Sequence, residues 1–207
     1  MLRALDLFCK AGGATRGLQL AGYHVTGVDI EPQPRYCGDT FYQGDALEAD
    51  LTGYDLIWAS PPCQAHSDLQ KQSKRFYADY IGPIRDRLIA NGAPYIIENV
   101  EGAPLHNPIV LCGTMFPGLR VIRHRLFESN VPLIAPPHPA HPLVFTHDKR
   151  KAHHGMLDQN TSFVQVTGGG NCSVANKLAA MGIDWMNGQE ANQAIPPAYA
   201  KFLAEQV

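Results

Sequence analysis

Apolar residues in this chain come in short runs closed by turn formers, and the runs read as buried strands. Ala4-Leu5-Asp6-Leu7-Phe8, His24-Val25-Thr26-Gly27-Val28-Asp29, Tyr54-Asp55-Leu56-Ile57-Trp58-Ala59 and Ala93-Pro94-Tyr95-Ile96-Ile97 all fit this pattern. Between the first two, Thr15 to Ala21 is periodic at helical spacing, with Leu18 and Ala21 placed to pack on a sheet and Gly22 closing the helix. Helices are also predicted for Ser173 to Ala180 and, with Pro at its start, for Pro197 to Gln206. Strands alternating with helices predict an α/β fold. In such folds ligands gather at the carboxyl edge of the sheet.

Two strands deliver chemistry to that edge. Pro61-Pro62 blocks continuation of the third strand, so Cys63 is expected in a loop at its carboxyl end. The fourth strand delivers Glu98 and Asn99 in the same manner. A thiol and a carboxylic acid would then meet above the sheet, suited to act as nucleophile and proton donor. The first strand leads into Cys9-Lys10-Ala11-Gly12-Gly13-Ala14, and the second ends on Asp29. Strand, Gly-rich turn, helix and acid-ended strand form a nucleotide-binding half-unit. Its two glycines let backbone approach a ligand, and Asp29 can accept hydrogen bonds from a ribose diol.

Composition narrows the class. A chain of 207 residues with 45% hydrophobic and 17% charged content supports one sizeable core, with room for a small appendage. No apolar run reaches the roughly 18 residues of a membrane span, and the N-terminus lacks a signal-peptide layout. The five cysteines are odd in number, scattered and free of Cys-x-x-Cys pairs, so neither a disulfide framework nor a zinc knuckle is indicated, and a reducing cytoplasm fits. Net charge is −2, yet Arg120 to His154 holds six Lys or Arg against two acids and six of the nine histidines. A local basic surface of this kind can bind phosphates although the whole chain is slightly acidic.

Ser60-Pro61-Pro62-Cys63-Gln64 and Glu98-Asn99-Val100, in this order, resemble the Pro-Cys-Gln and Glu-Asn-Val signatures of the DNA cytosine-5 methyltransferases. Asp6-Leu7-Phe8-Cys9-Lys10-Ala11-Gly12-Gly13 resembles the family's Asp-Leu-Phe-x-x-x-Gly-Gly motif, and Gln43-Gly44-Asp45 its Gly-Asp element. Arg123-His124-Arg125, within an expected strand over 121–128, resembles the Arg-x-Arg strand, with Val121 where a glutamine is usual. Asn192-Gln193-Ala194-Ile195-Pro196-Pro197 resembles the final Gly-Asn-x-Val-Pro-Pro motif, with two substitutions. The combination is most similar to compact phage and prophage members.

The resemblance implies a Rossmann-like class I fold, mostly a parallel sheet with helices on both faces. Its catalytic and cofactor-binding domain would cover 1–129 and 166–207, with a reduced, irregular target-recognition segment over 130–165. It implies S-adenosylmethionine as cofactor, bound by Phe8, Gly12, Gly13, Asp29, Ile30, Asp45, Pro62, Gln193 and Ala194. Cys63 would add to cytosine C6, with Gln64 beside it. Glu98 would hydrogen-bond or protonate N3, Arg125 would hold O2, Arg123 would support the site and Asn99 would orient the Cys63 loop. The partner implied is duplex DNA with its target cytosine flipped out, with a partner nuclease or recognition subunit also admitted. The same chemistry on RNA or a free cytosine nucleotide stands as the alternative, and a non-catalytic DNA-binding accessory subunit as another.

The polar stretch after Cys63 reads as a mobile loop closing over the base, with Ser67, Lys71 and Lys74 available to phosphates. Lys149 and Arg150 in the basic run offer the same. His138, His141, His147, His153 and His154 lack an accompanying Cys pair or helix-borne spacing, so no metal site is expected.

Overall fold

The computed structural model describes residues 1–65, 77–145, 158, 161–166 and 172–207. Five strands come first in the chain: β1 (Leu2–Leu7), β2 (Tyr23–Asp29), β3 (Thr40–Gln43), β4 (Leu56–Ala59) and β5 (Tyr95–Asn99). They are followed by β6 (Ile109–Leu111), β7 (Val121–Ile122), β8 (Arg125–Ser129), β9 (Val144–Phe145) and β10 (Phe163–Gln165). The helices are α1 (Gly13–Leu20), α2 (Ile81–Asn91), α3 (Val174–Met181), α4 (Gly188–Gln193) and α5 (Pro197–Ala204).

Seven strands form one sheet in the order β3-β2-β1-β4-β5-β8-β6. The first five run parallel, and β8 enters antiparallel between β5 and β6. Strand alternation sorts the core onto two faces. Ala4, Trp58, Ile96 and Phe127 point to the side covered by α1 and α5, where Leu18, Tyr199 and Leu203 are fully buried. Leu5, Leu7, Ile57 and Ile97 point to the other, under Ile84 and Leu88 of α2. Parallel strands buried on both faces explain the short, nearly continuous apolar runs of the sequence.

The expected strand over 121–128 is two strands. Val121 and Ile122 pair with β10 in a second, three-stranded sheet, β7-β10-β9, whereas Arg125 to Ser129 joins the main sheet. Arg123 and His124 make the crossing between the sheets. Burial drives the split: Val121 packs with Val164, Val166, Ala180 and Met181, while Phe127 belongs to the main core. β9 pairs with β10, and earlier in the 130–145 stretch Leu133 and Ala135 pack on the main core. No helix among the described residues is long and apolar enough to cross a membrane.

Candidate active site

Because β1, β2, β4 and β5 are parallel, their carboxyl ends open on one edge. There residues of the turn after β1, Asp29–Ile30, Ser60 to Gln64 and Glu98 to Val100 surround a single cavity of about 400 Å³. This is within the usual size of a small-molecule site.

At one end of the cavity stand Cys63, Gln64, Glu98, Asn99 and Arg125. Cys63 opens a short 3-10 turn, Cys63–Ala65, directly after the two prolines. Asn99, almost wholly buried, donates from Nδ2 to the Pro61 carbonyl at 3.0 Å and accepts the Val100 amide on Oδ1. It therefore ties the Cys63 loop to β5. Glu98 Oε1 lies 3.0 Å from Arg125 Nε, both side chains being largely buried. Arg125 also donates from Nη1 to the His124 carbonyl at 2.7 Å. Burial raises the Cys63 thiol above its ordinary value, Arg125 opposes that rise and Glu98 adds to it. Cys63 is thus a thiol at neutral pH.

Arg123 does not line the cavity; it sits behind it as a strut. Its Nη1 donates to the Val166 carbonyl and its Nη2 to the Asn192 carbonyl, both at 2.7 Å. The Tyr199 hydroxyl donates back to the Arg123 carbonyl at 2.8 Å. Burial first, then the neighbouring Arg125, pushes Arg123 down to about 9, which leaves it charged at neutral pH. These bonds tie the crossing between the two sheets to the C-terminal return. Below β8, Arg85 clamps Glu128 through two bonds of 2.7 Å, and the His106 amide adds a third. Burial pushes the Glu128 carboxyl up, but these donors outweigh it and hold it below its ordinary value. The strand that carries Arg125 is anchored this way.

The other end of the cavity is the Gly-rich turn with β2 and the C-terminal return. Phe8 and Lys10 hold positive φ of 60° and 47°, which costs non-glycine residues on the order of 1–3 kcal/mol each and is typical of functional loops. Gly12 takes φ 90° and lies behind the cavity wall rather than on it. A Cβ on Gly13 would stand 2.8 Å from the Ile195 carbonyl, so glycine permits the C-terminal return to close on the turn. Trp185 reinforces that closure, donating from Nε1 to the Ala11 carbonyl at 2.8 Å. Asp29 accepts the Lys10 and Glu31 amides at 3.0 Å each and faces the cavity. Ile30 is 66% exposed at its mouth, an apolar platform beside an acid. Asp45, which accepts the Leu47 amide at 2.8 Å, lines the same region with Pro62, Gln193 and Ala194.

In the sequence Asp6 is only one residue of a strand and a motif. In the fold it lines the cavity at 1% exposure, accepts the Thr15 hydroxyl on Oδ2, and leaves Oδ1 without a partner among the described residues. Burial pushes its carboxyl up to about 7, the Thr15 bonds opposing the rise and Asp29 and Glu98 adding to it. Tyr80, tilted beside Phe8 at 6.2 Å between ring centroids, also lines the cavity. It lies beyond a long polar stretch and carries no motif signal. Ser67, Lys71, Lys74, Lys149 and Arg150, and the histidines 147, 153 and 154, lie outside the described residues.

No family model matches the chain. One relative, the Type II methyltransferase M1.HphI of Haemophilus parahaemolyticus, is 30% identical over 129 residues, which are 51% of this chain and 34% of that protein. The chain thus spans about a third of the length of the curated relative it matches. Among solved structures, an E. coli prophage protein provisionally described as a DNA modification methyltransferase superposes with a TM-score of 0.68. That likeness covers 100% of this chain and 98% of the other, at 13% identity. The fold is the class I methyltransferase fold that the motifs implied, and these likenesses accord with the resemblance read from them.

Proposed function

We propose that this chain, a compact methyltransferase by fold and resemblance, transfers a methyl group from S-adenosylmethionine to cytosine C5 in DNA. The observation that carries the proposal is one cavity lined by a thiol, an acid and a cation at one end and by an acid, apolar side chains and the Gly-rich turn at the other. The cradle fits the cofactor. Asp29 suits a ribose diol, Ile30 and Phe8 offer apolar faces to a purine, and the unpaired Oδ1 of Asp6 suits an ammonium group. When bound there, S-adenosylmethionine supplies an electrophilic methyl group.

The residues at the other end address what makes cytosine hard to methylate. C5 is a poor nucleophile until the ring gains electrons. Cys63 gives its proton to solvent and Sγ bonds to C6, while the ring electrons shift onto N3, which takes up a proton, making C5 enamine-like. Glu98 hydrogen-bonds N3 and Arg125 holds O2, so the pair that now binds itself would open to grip the base edge. After methylation solvent takes the C5 proton, the freed electron pair restores the C5–C6 double bond and expels Cys63 as a thiolate, which regains a proton from solvent. Arg125 beside the thiol favours the thiolate at the moment it is needed. A base within a duplex cannot reach Cys63, so the target is flipped out or single-stranded.

The test offers duplex DNA, RNA and dCMP to the purified protein with labelled S-adenosylmethionine. Label in DNA that vanishes in Cys63→Ala, while cofactor binding persists, supports the reading. Label only in RNA or dCMP moves the substrate, and DNA binding without any transfer favours the accessory-subunit alternative. Base-resolution sequencing of a methylation-free host expressing the protein then identifies the target sequence.

A further inference from the structure

Outside the cavity, the fold gathers four metal-ligating side chains that the sequence keeps far apart. Cys112 follows β6, His124 sits at the crossing from β7 to β8, and His138 and His141 come from the proline-rich stretch. Their ligand atoms all lie within 4.8 Å of one another. Among them, Nε2 of His138 is 3.2 Å from Nε2 of His124 and 3.3 Å from Nε2 of His141, and Cys112 Sγ is 3.7 Å from His141 Nε2. Zn–N bonds of about 2.0–2.1 Å and a Zn–S bond of about 2.3 Å give tetrahedral edges of about 3.3 Å for N···N and about 3.6 Å for S···N. These three separations match those edges.

The outer partners fit as well. His138 Nδ1 is 2.8 Å from the Pro139 carbonyl, which can only accept, so Nδ1 carries the proton and Nε2 turns its lone pair to the centre. That one lone pair faces two other imidazole nitrogens, and a single in-plane lone pair cannot serve both as hydrogen-bond acceptor. A cation at the centre satisfies all three rings. Glu101 Oε2 stands 3.8 Å from His124 Nδ1, on the side where a zinc-bound histidine commonly finds a carboxylate.

We propose that Cys112, His124, His138 and His141 bind one zinc ion in a closed, structural site of one thiolate and three imidazoles. The sequence expectation of no metal followed from looking for ligands close in sequence, whereas this set spans three separate segments. That donor set suits zinc, and with four protein ligands no position stays open for water. Binding displaces one proton, that of the Cys112 thiol. The ion would bolt the proline-rich stretch to the residue between Arg123 and Arg125, fixing its course beside the active site without entering the chemistry.

The test uses the 207-residue chain without a histidine tag, purified from zinc-supplemented medium and assayed by atomic emission. One zinc per chain is expected. After removal by chelator, titration with Co²⁺ alone should give the intense visible bands of tetrahedral cobalt and a thiolate charge-transfer band. His138→Ala and His141→Ala, at exposed positions, should keep the circular dichroism spectrum of the fold and weaken the metal by about 100-fold or more. Cys112→Ser should remove the charge-transfer band; as Cys112 is buried, the two histidine variants serve as the test if it does not fold. Wild-type protein without stoichiometric zinc and with only weak, octahedral cobalt bands overturns the proposal. So do His138 and His141 variants that bind as tightly as wild type.

Discussion

Asp6→Asn should make the protein more stable at neutral pH and weaken its cofactor site. The Asp6 carboxyl is raised from an ordinary 3.8 to about 7, chiefly by burial. At about 1.4 kcal/mol per pKa unit, ionising it in the fold costs roughly 4 kcal/mol more than in the unfolded chain. Because the folded value is the higher one, the stability linked to this proton is fully present below about pH 4 and is lost as pH rises through about 7. Asparagine keeps an acceptor for the Thr15 hydroxyl and never ionises. Between pH 5 and pH 7 the wild type should therefore lose about 2–3 kcal/mol relative to the variant. For a domain of this size that is about 5–10 °C in the difference between melting temperatures. Thermal unfolding of both proteins across pH 4–8 checks it, with calorimetric titration of S-adenosylmethionine alongside. If the two pH profiles run parallel, the carboxyl is not held near 7 and the reasoning fails. Unchanged cofactor affinity in the variant would remove Asp6 from the cradle.

Iodoacetamide should label Cys63 slowly at pH 7 and faster as pH climbs past 9, because burial holds the thiol above its ordinary value. Arg125→Gln removes the opposing cation and should move that profile to still higher pH; a shift to lower pH would contradict the assigned balance of charges. Asn99→Ala leaves the buried Pro61 carbonyl unpaired, costing about 1–3 kcal/mol of stability. By loosening the Cys63 loop it should also lower kcat about 10–100-fold with little change in cofactor affinity, measured by single-turnover methyl transfer and equilibrium binding. Gly13→Ala drives a Cβ against the Ile195 carbonyl and should raise the dissociation constant for S-adenosylmethionine at least about tenfold, read by calorimetry.

The parallel core strands were legible in the chain because burial on both faces demands unbroken apolar runs, and Gly and Pro cut them to length. Cys63, Glu98 and the Gly12-Gly13 turn were legible for a related reason, since each sits at or just past the end of such a run and inherits its place on the carboxyl edge. Other features depended on partners remote in sequence. The split of 121–128 into β7 and β8 is set by which sheet can bury Val121 and which can bury Phe127. Arg123 became a strut because the carbonyls of Val166 and Asn192 converge on it from far along the chain.

Taken alone, the sequence determined the layered fold and the place of Cys63 and of the Gly12-Gly13 turn at the strand ends, because periodicity and steric punctuation are local properties of the backbone. Only the tertiary structure decided that Asp6 is a buried acid held near neutrality, that Glu98 and Arg125 rest against each other, and that Cys112 meets three histidines. Desolvation, ion pairing and metal-ligand geometry depend on distances through space, which packing sets and residue spacing along the chain does not encode.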